Sequence, residues 1–220
     1  MDSPQLEDQT DEFGLFKKEP PQESFNKAML ELNFFLDEFF LEPLSKVYHA
    51  LVPEVVQVCI GNFTNHLKIP FYVVNDVLQG DFKQASENIW VFGVNTFGGA
   101  GLFNASQLVG MHAQSNDMGK TLYTWGIGSG PFLILPIIGP TYLRDAVGSG
   151  MGIFTDPINT TLMYQGYNKT RYGITAMDII HRRSEMGGSV QFVRSAYDPY
   201  SMLKNIYEQK RAAELEGKGK

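Results

Sequence analysis

The sequence has little cysteine and little histidine. Its single cysteine, Cys59, excludes a disulfide within the chain. The four histidines are separated by 17, 46 and 69 positions, and none has a second histidine or a cysteine at the spacing that metal ligands need. We therefore expect no disulfide, no metal site and no bound cofactor.

Charge is scarce, above all in the middle of the chain. The 220 residues carry a formal net charge of −6, which disfavours nucleic acid as a partner. Between residues 88 and 155 only four side chains are charged, and these are Asp117, Lys120, Arg144 and Asp145. A stretch so poor in charge indicates a buried centre, a membrane-contacting surface, or both.

Long apolar runs that could cross a bilayer are missing as well. The uncharged runs 88–116 and 121–143 are long enough, but glycines and prolines interrupt both. Residues 1–23 are polar and acidic and contain no apolar leader, so we expect a flexible tether there. The length suits a single folded domain, which we place at residues 24–212, followed by a flexible tail at 213–220.

Apolar residues recur at helical spacing through most of the chain, and clear period-2 alternation is absent, so we expect an all-α fold. The first helix is predicted to begin at Ser24 and to end or kink at Pro43. Leu30 and Phe34 lie off its main apolar stripe and give it a second apolar side. The stripe predicted to face the core consists of Phe25, Ala28, Met29, Leu32, Phe35, Leu36, Phe39 and Phe40.

Prolines, glycines and capping residues divide the remaining helices. A second helix is predicted from Pro53 to Pro70, where a short helix opens and continues to Gly80. Asp81 is expected to cap the helix that follows. Later helices are predicted over 141–147, 174–183 and 198–215, with a flexible glycine-rich segment at 148–152 and an ion-pair candidate in Arg144 and Asp145.

Catalytic motifs are absent from the sequence. Ser129 and Ser149 lie next to glycines, but both lack the outer glycines of the nucleophile motif G-x-S-x-G. The glycine run 126–130 is followed by proline and apolar residues and does not match a phosphate-binding loop. We therefore expect no enzyme, and we expect residues 126–140 to form a buried loop or an apolar hairpin.

A series of short motifs extends in order from Glu23 to about Arg211. They are ESFNKAM (23–29), VNDVLQGD (74–81), NTFGGAGLF (95–103), GKTL (119–122), WGIGSGP (125–131), LP (135–136), GP (139–140), LRD (143–145) and DPY (198–200). In this combination the chain resembles the MlaA/VacJ family of outer-membrane lipoproteins.

The resemblance implies a fold and a location. Family members are ring-shaped helical domains with a central amphipathic channel, seated in the inner leaflet of the outer membrane at its periplasmic face. A lipidated cysteine at the mature N-terminus anchors them. This chain has no cysteine before Cys59, so we expect the signal and the lipidated cysteine of the precursor to be absent from this sequence. An embedded ring would account for a charge-poor centre without a spanning helix.

The resemblance also implies a function. Family members remove phospholipids that have strayed into the outer leaflet and pass them through the channel to the soluble periplasmic carrier MlaC. They also associate with porin trimers. We therefore expect phospholipids, a porin, the carrier and the membrane as partners. Two alternatives are a phospholipid hydrolase and an adaptor that docks on porins without transport.

The site implied by the resemblance is an apolar loop beside the channel that gates it. The corresponding residues are Pro131, Phe132, Leu133, Leu135, Pro136, Ile137 and Ile138. The flanking glycines, expected to act as hinges, are Gly126, Gly128, Gly130 and Gly139. The first helix, around Asn33 and Phe34, is expected to face the membrane and to control the position of the loop, so that Phe34→Asp would disturb membrane seating and leave the fold intact.

Overall fold

Ten α-helices and one β-hairpin make up residues 21–216, the part of the chain that the computed structural model describes. The helices are α1 (Pro21–Leu36), α2 (Glu42–Leu51), α3 (Glu54–Leu78), α4 (Phe82–Gly99), α5 (Met118–Thr124), α6 (Leu143–Thr155), α7 (Pro157–Tyr164), α8 (Asn168–Met186), α9 (Ser189–Arg194) and α10 (Pro199–Glu216). A π-helical segment, Asp37–Leu41, joins α1 to α2, and a 3-10 turn, Ala105–Val109, follows α4. The predicted single helical domain is confirmed.

The predicted tether and tail fall mostly on residues 1–20 and 217–220, which lie outside the described residues. At the inner edges of both predictions the chain is helical, since α1 begins at Pro21 and α10 ends at Glu216. The helical part therefore extends a few residues beyond the predicted limits of 24 and 212.

The apolar hairpin consists of β1 (Phe132–Leu135) and β2 (Gly139–Tyr142). The strands are antiparallel, with Phe132 opposite Tyr142 and Leu135 opposite Gly139. The sequence offered an apolar loop or hairpin here, and the hairpin is what forms. Tyr142, which we expected inside a helix, ends β2, and α6 begins at Leu143.

The sequence predicted that a helix would end or kink at Pro43 and that another would end at Pro70. The chain is helical at both prolines. Pro70 lies inside α3, which continues from Glu54 to Leu78 although an internal proline removes one backbone hydrogen bond. Packing of α3 against α4, α5, α7 and α8 supports the continuous helix. Pro43 lies in the first turn of α2, where its missing N–H costs little, so the chain stays helical from α1 through the π segment into α2.

The glycine-rich segment 148–152 is helical and not a flexible linker, because it lies within α6. Close packing of α6 on α5 explains why glycine is needed there. A Cβ atom on Gly148 would come within 2.7 Å of the backbone nitrogen of Gly119. Similarly, α8 begins at Asn168, well before the predicted start at Ile174.

The apolar core of the described chain lies around the hairpin. Its buried members are Leu30, Phe34, Phe132, Ile134 and Tyr200, and we call them the hairpin core. They bring α1, β1 and α10 together, and aromatic pairs such as Phe132 with Tyr200, at 6.2 Å between ring centroids, tighten the contact.

The two apolar sides of α1 are exchanged relative to the prediction. Leu30 and Phe34, the residues off the main stripe, are 4% and 8% exposed and belong to the hairpin core. Phe35 and Phe39, from the stripe expected to be buried, are 50% and 60% exposed. Helical periodicity groups residues onto faces, but in α1 both faces are apolar, so periodicity alone could not choose the inner one.

Candidate functional site

In the described chain more polar than hydrophobic residues are buried, and many large hydrophobic side chains are exposed. Eighteen of its buried residues are polar or charged, against ten that are hydrophobic. Many large apolar side chains lie outside, and Phe97 and Leu108 are 93% and 90% exposed. Because water-soluble domains rarely expose apolar patches of this extent, the outer surface is suited to an apolar environment.

No helix in residues 21–216 combines the length and the apolarity needed to cross a membrane.

A cavity of about 660 Å³ lies between α3, α5, α6, α7 and α8. We call it the amphipathic cavity, because its lining is part apolar and part charged. The apolar side chains that line it are Leu67, Phe71, Met118, Ile153, Ile158, Leu162 and Ile174. The charged side chains that line it are Lys68, Asp117, Asp156, Arg171 and Asp178. A volume of this size lies within the range of small-molecule sites.

Lys68 and Asp178 form an ion pair on the wall of the amphipathic cavity. Lys68 Nζ donates to both carboxylate oxygens of Asp178, at 2.7 and 2.8 Å, and Arg182 Nε donates to Asp178 Oδ2 at 3.0 Å. Burial alone would raise the pKa of Asp178, but the hydrogen bond and charge of Lys68, with those of Arg182, hold it below its usual value. Burial in turn lowers the pKa of Lys68.

Asp117 links the cavity wall to the C-terminal helix. Both of its oxygens accept from the guanidinium of Arg211 at 2.9 Å, and Oδ1 also accepts from the Lys120 N–H, which caps α5. Arg211 in addition donates to Asp145. Burial would raise the pKa of Asp117, yet the hydrogen bonds and charge of Arg211 lower it. This network joins α5, α6 and α10.

The predicted pair of Arg144 and Asp145 is confirmed, with Arg144 Nε 3.0 Å from Asp145 Oδ1. Both residues are buried, at 5% and 7% exposed. Asp145 also accepts from Tyr207 Oη at 3.2 Å. The sequence identified this pair because so few charges surround it, but it gave no indication that Arg211 completes the network.

Asp156 and Arg171, the other two charged cavity residues, have no ion-pair partner among residues 21–216. Asp156 Oδ1 caps α7 by accepting from the N–H groups of Ile158 and Asn159, at 2.9 and 3.2 Å. Burial raises its pKa. Arg171 donates to the hydroxyl of Tyr172 and stacks on that ring, at 4.7 Å from the centroid.

Two asparagines of α1 hold the hairpin by its backbone. Asn26 Nδ2 donates to Phe132 O at 3.0 Å, and Asn26 Oδ1 accepts from the Ile134 N–H at 2.9 Å. Two helical turns later, Asn33 Nδ2 donates to Leu135 O at 2.9 Å, and its Oδ1 accepts from the Ile137 N–H at 2.7 Å. Residues seven apart share a helix face, so the two amides clamp the free edge of β1. We call them the amide clamps.

The predicted loop residues divide between a buried base and an exposed tip. Phe132 is buried in the hairpin core, and Leu133 and Leu135 are half-buried. At the tip, Pro136 is exposed and Ile137 and Ile138 are 72% and 62% exposed. Pro131, just before β1, is also exposed. The amphipathic cavity is lined by residues of other elements, so the hairpin adjoins the core and not the cavity wall in this structure.

The tip of the hairpin has an unusual backbone. Ile137 has φ +69°, in the left-handed region that a β-branched residue rarely adopts, and the Ile138 N–H donates to Pro136 O at 2.8 Å to close a three-residue turn. The N–H of this strained residue is the group that donates to Asn33 Oδ1. The first helix therefore holds the tip in a conformation that the chain would not favour by itself.

The four predicted hinge glycines differ in backbone conformation and in position. Gly126, Gly130 and Gly139 have φ values of +85°, +68° and +84°, and Gly128 does not lie in the left-handed region. Gly126 ends α5, where its N–H bonds to Tyr123 O, so its conformation is that of a helix cap. Gly130 lies two residues before β1, at the base of the hairpin, and Gly139 is the first residue of β2, beside the tip.

Of the α1 residues expected at the membrane, Asn33 is half-buried against the hairpin and Phe34 is buried. Phe34 lies in the hairpin core, with the guanidinium of Arg194 5.9 Å from its ring centroid. Phe34→Asp would therefore bury a carboxylate among apolar side chains, and we now expect it to unfold the region. Phe35, on the outer face of α1, and Phe39, in the π-helical segment that follows, are exposed instead.

Sequence reasoning missed several residues of the site. Lys68 and Asp178 are 110 positions apart, and no local pattern connects them. Asn26 was quoted within a motif without a role, although its spacing of seven from Asn33 was a signal that both lie on one face. Among residues 21–216, no group of three or more His, Cys, Asp or Glu is placed to hold a metal ion.

Many exposed large apolar side chains around a partly charged cavity define the class, which is a helical protein suited to contact with an apolar phase. Comparison with known proteins gives the family. A family model described as MlaA lipoprotein matches residues 18–214, so this chain belongs to the MlaA lipoprotein family. The resemblance noted in the sequence is confirmed.

Individual relatives agree with this assignment. The chain is 31% identical over 198 residues to an uncharacterised protein of Rickettsia bellii, covering 89% of this chain and 76% of the relative. It is 30% identical over 197 residues to the intermembrane phospholipid transport system lipoprotein MlaA of Escherichia coli K12. That match covers 86% of this chain and 76% of the relative. A solved structure reported as the structural basis for maintenance of bacterial outer membrane lipid asymmetry matches with a TM-score of 0.76 and 28% identity, covering 90% of this chain and 100% of that one.

Proposed function

We propose that this protein moves phospholipids between the membranes of a bacterial envelope and so maintains the lipid asymmetry of the outer membrane. In detail, it would remove phospholipids from the outer leaflet and pass them to a periplasmic carrier of the MlaC type. The observation that carries the proposal is the inverted polarity of the domain, with apolar side chains outside and a partly charged cavity within. Membership of the MlaA family supports it.

The physical task is to lower a barrier and not to break a bond. Moving a charged headgroup unaccompanied through hydrocarbon costs many kcal/mol, because its charges lose their hydration. A cavity lined by both charged and apolar side chains would solvate the headgroup and leave the acyl chains in apolar surroundings. We propose that the amphipathic cavity is part of a central channel through a ring-shaped domain.

The proposed location follows from the exposed side chains. The exposed faces of α1, α4 and the 3-10 turn carry Phe35, Phe97 and Leu108, which would lie among acyl chains of the inner leaflet. A lipid anchor on the precursor would hold the protein at the periplasmic face of the outer membrane. A porin trimer is the proposed membrane partner.

The hairpin is proposed as the gate of the channel. Its base is fixed by the hairpin core, so only the tip at Pro136–Ile138 is free to move. The amide clamp at Asn33 would hold one position of the tip, and Gly139, the first residue of β2 beside the tip, would turn when the tip moves. Release of that clamp would be the opening step.

A hydrolase is not favoured as the alternative. Ser149 Oγ donates to the carbonyl of Asp145, and neither Ser129 nor Ser149 is hydrogen-bonded to a histidine within residues 21–216. A porin-docking adaptor would not need the charged cavity. Both alternatives are separated from transport by the experiment below.

The test locks the hairpin tip with a disulfide. The Ile137 N–H donates to Asn33 Oδ1 at 2.7 Å, so the two residues adjoin. In a Cys59→Ala background the pair Asn33→Cys and Ile137→Cys is introduced to link the tip to α1, and closure of the disulfide is measured by the loss of thiol labelling. The variant is produced in the envelope behind a lipoprotein signal, in cells that lack their own homologue. Surface phospholipid is then measured with an impermeant amine-reactive label.

Transport through a moving gate predicts that surface phospholipid accumulates when the disulfide is closed and returns to the wild-type level when the same cells are treated with reductant. An adaptor would function equally well in both states, and that result would contradict the proposal. Lysophospholipid among the extracted lipids would favour the hydrolase instead.

A further inference from the structure

The charges on the wall of the amphipathic cavity are unequally paired. Three of its five charged side chains have partners, since Lys68 pairs with Asp178 and Asp117 pairs with Arg211. Asp156 and Arg171 have no ion-pair partner in the described chain and are not paired with each other. The cavity therefore offers one uncompensated anion and one uncompensated cation.

Asp156 has an oxygen available to a ligand. Its Oδ1 accepts both capping hydrogen bonds from α7, whereas Oδ2 has no hydrogen-bond partner among residues 21–216. The two capping bonds fix the carboxylate at the junction of α6 and α7. A half-buried carboxylate in this setting gains from a cation that donates hydrogen bonds to the free oxygen.

Arg171 is held in place by one aromatic neighbour. Its Nη2 donates to Tyr172 Oη at 2.9 Å, and its Nε is buried without a hydrogen-bond partner in the described chain. A guanidinium is a planar set of five donors suited to phosphate or carboxylate. Since Tyr172 occupies one of those donors, the remaining ones are the part that an anion would meet.

Two opposite charges left unpaired in one partly apolar cavity are costly, and a ligand that carries both complementary charges removes the cost from both. We propose that Arg171 and Asp156 form a binding site for a phosphoethanolamine headgroup, with the phosphate on Arg171 and the ammonium on Asp156. This inference rests on the proposed function and names its substrate class. Apolar lining residues such as Phe71 and Leu162 would contact the rest of the lipid.

The site would discriminate between headgroups. A phosphoglycerol headgroup has the phosphate but no cation, so it would use Arg171 and leave Asp156 uncompensated. A phosphocholine headgroup has a cation without N–H groups, so it could not donate to Asp156 Oδ2. The order of retention should be ethanolamine, then choline, then glycerol.

The test is a competition measured by native mass spectrometry. The purified full chain in mild detergent receives equal amounts of phosphatidylethanolamine, phosphatidylcholine and phosphatidylglycerol with identical acyl chains. We expect phosphatidylethanolamine to be retained about tenfold over phosphatidylglycerol, as one charge-assisted hydrogen bond would give. Asp156→Asn should abolish this preference while the total amount of retained lipid stays the same. Arg171→Gln should instead reduce the retention of all three lipids together.

Matched controls exist within the chain. Asp81 caps α4 through Gln84 N as Asp156 caps α7, so Asp81→Asn tests the loss of a capping carboxylate away from the cavity. Asparagine is itself a good cap, so both helices should keep their ends. Lys169→Gln removes an exposed cation from the same turn of α8 as Arg171. Both controls should keep the wild-type preference.

A change in the ligand tests the site without a change in the protein. Phosphatidylethanolamine acetylated on its amine keeps the phosphate and loses the ammonium, so wild-type protein should retain it no better than phosphatidylglycerol. Equal retention of the acetylated and free forms, or an unchanged preference in Asp156→Asn, would overturn the inference. Failure of the wild-type protein to retain any phospholipid would contradict the proposed function itself.

Discussion

The hairpin core and the amphipathic cavity are two interiors of opposite kind in one chain. The hairpin core consists of apolar side chains from α1, β1 and α10, as in a water-soluble domain. The amphipathic cavity has ion pairs on its wall, while the helices around it expose apolar residues such as Phe154, at 69%. One part is stabilised by apolar burial and the other by paired charges, so they should respond differently to substitution.

The largest effect is expected from the charge network beside the cavity. Arg211→Met removes the partner that Asp145 and the more exposed Asp117 share, and for the buried pair with Asp145 we expect a cost of about 3–5 kcal/mol. Denaturant unfolding in detergent measures the loss. Lys210→Met, at the exposed neighbouring position, should change little. Equal stability of the two variants would show that the network does not support this region.

The hairpin core should be sensitive to volume and not to charge. Ile134 is 0% exposed, so Ile134→Ala should cost about 2–5 kcal/mol through lost burial and the cavity it leaves. Ile137→Ala, in the same hairpin but 72% exposed, should cost less than about 0.5 kcal/mol. The same unfolding measurement compares them, and similar losses would contradict the division into base and tip.

The two amide clamps should differ in how much they contribute to the free energy of unfolding. Asn26 is 0% exposed, and Asn26→Ala would leave the buried Ile134 N–H unpaired, which costs about 1–3 kcal/mol, while the Phe132 carbonyl would keep its hydrogen bond from Gln22 Nε2. Asn33→Ala should affect global stability less and instead speed hydrogen exchange of the Ile137 N–H. If Asn33→Ala leaves that exchange rate unchanged, the clamp does not hold the tip.

Lowering the pH should change the contributions of two carboxylates of the same cavity to folding stability in opposite directions. The pKa of Asp178 is lowered in the folded state, so its contribution to stability is present above the unfolded-state value, about 3.9, and is lost as the pH falls below it. The pKa of Asp156 is raised, so its contribution is present at low pH and is lost as the pH rises through the folded-state value.

Unfolding free energies measured from pH 7 to pH 3 should therefore show a shallower acid loss in Asp178→Asn and a steeper one in Asp156→Asn. Changes of the same sign in both variants would contradict the assignment of opposite environments.

The smallest effect on stability is expected at the outer surface. Phe97 is 93% exposed, so Phe97→Ala should change the unfolding free energy in detergent by less than about 0.5 kcal/mol. Binding to phospholipid vesicles should nevertheless weaken by about tenfold, because burying a phenylalanine side chain in an apolar phase contributes about 1.5–3 kcal/mol. Unchanged vesicle binding would show that this face does not enter lipid.

Much of the fold could be predicted from local patterns. The spacing of apolar residues predicted most helices, and the prolines around residues 131–140 predicted an interruption where the hairpin lies. Pro70 and the glycines of 148–152 misled the prediction, because tertiary packing keeps α3 and α6 helical through them. A local rule estimates the cost of a residue in a helix but not the packing energy that offsets it.

The candidate site was less predictable than the fold. Asn33 was identified only through the family resemblance, and the cavity residues Lys68, Asp156, Arg171 and Asp178 were not identified at all. Each is an ordinary charged residue in its local sequence. Their significance lies in which of them have partners, and the partner of Lys68 is 110 positions away.

The sequence by itself determined that this protein is helical, that its centre is poor in charge, and that it belongs to a family whose ordered motifs it carries. Only the tertiary structure decided which side of each helix lies inside. Helical periodicity assigns residues to faces, but when one face packs on a core and another is also apolar, the pattern is the same for both. Phe34 and Phe35 are adjacent and identical in kind, and contacts with a hairpin about a hundred residues away bury one and expose the other.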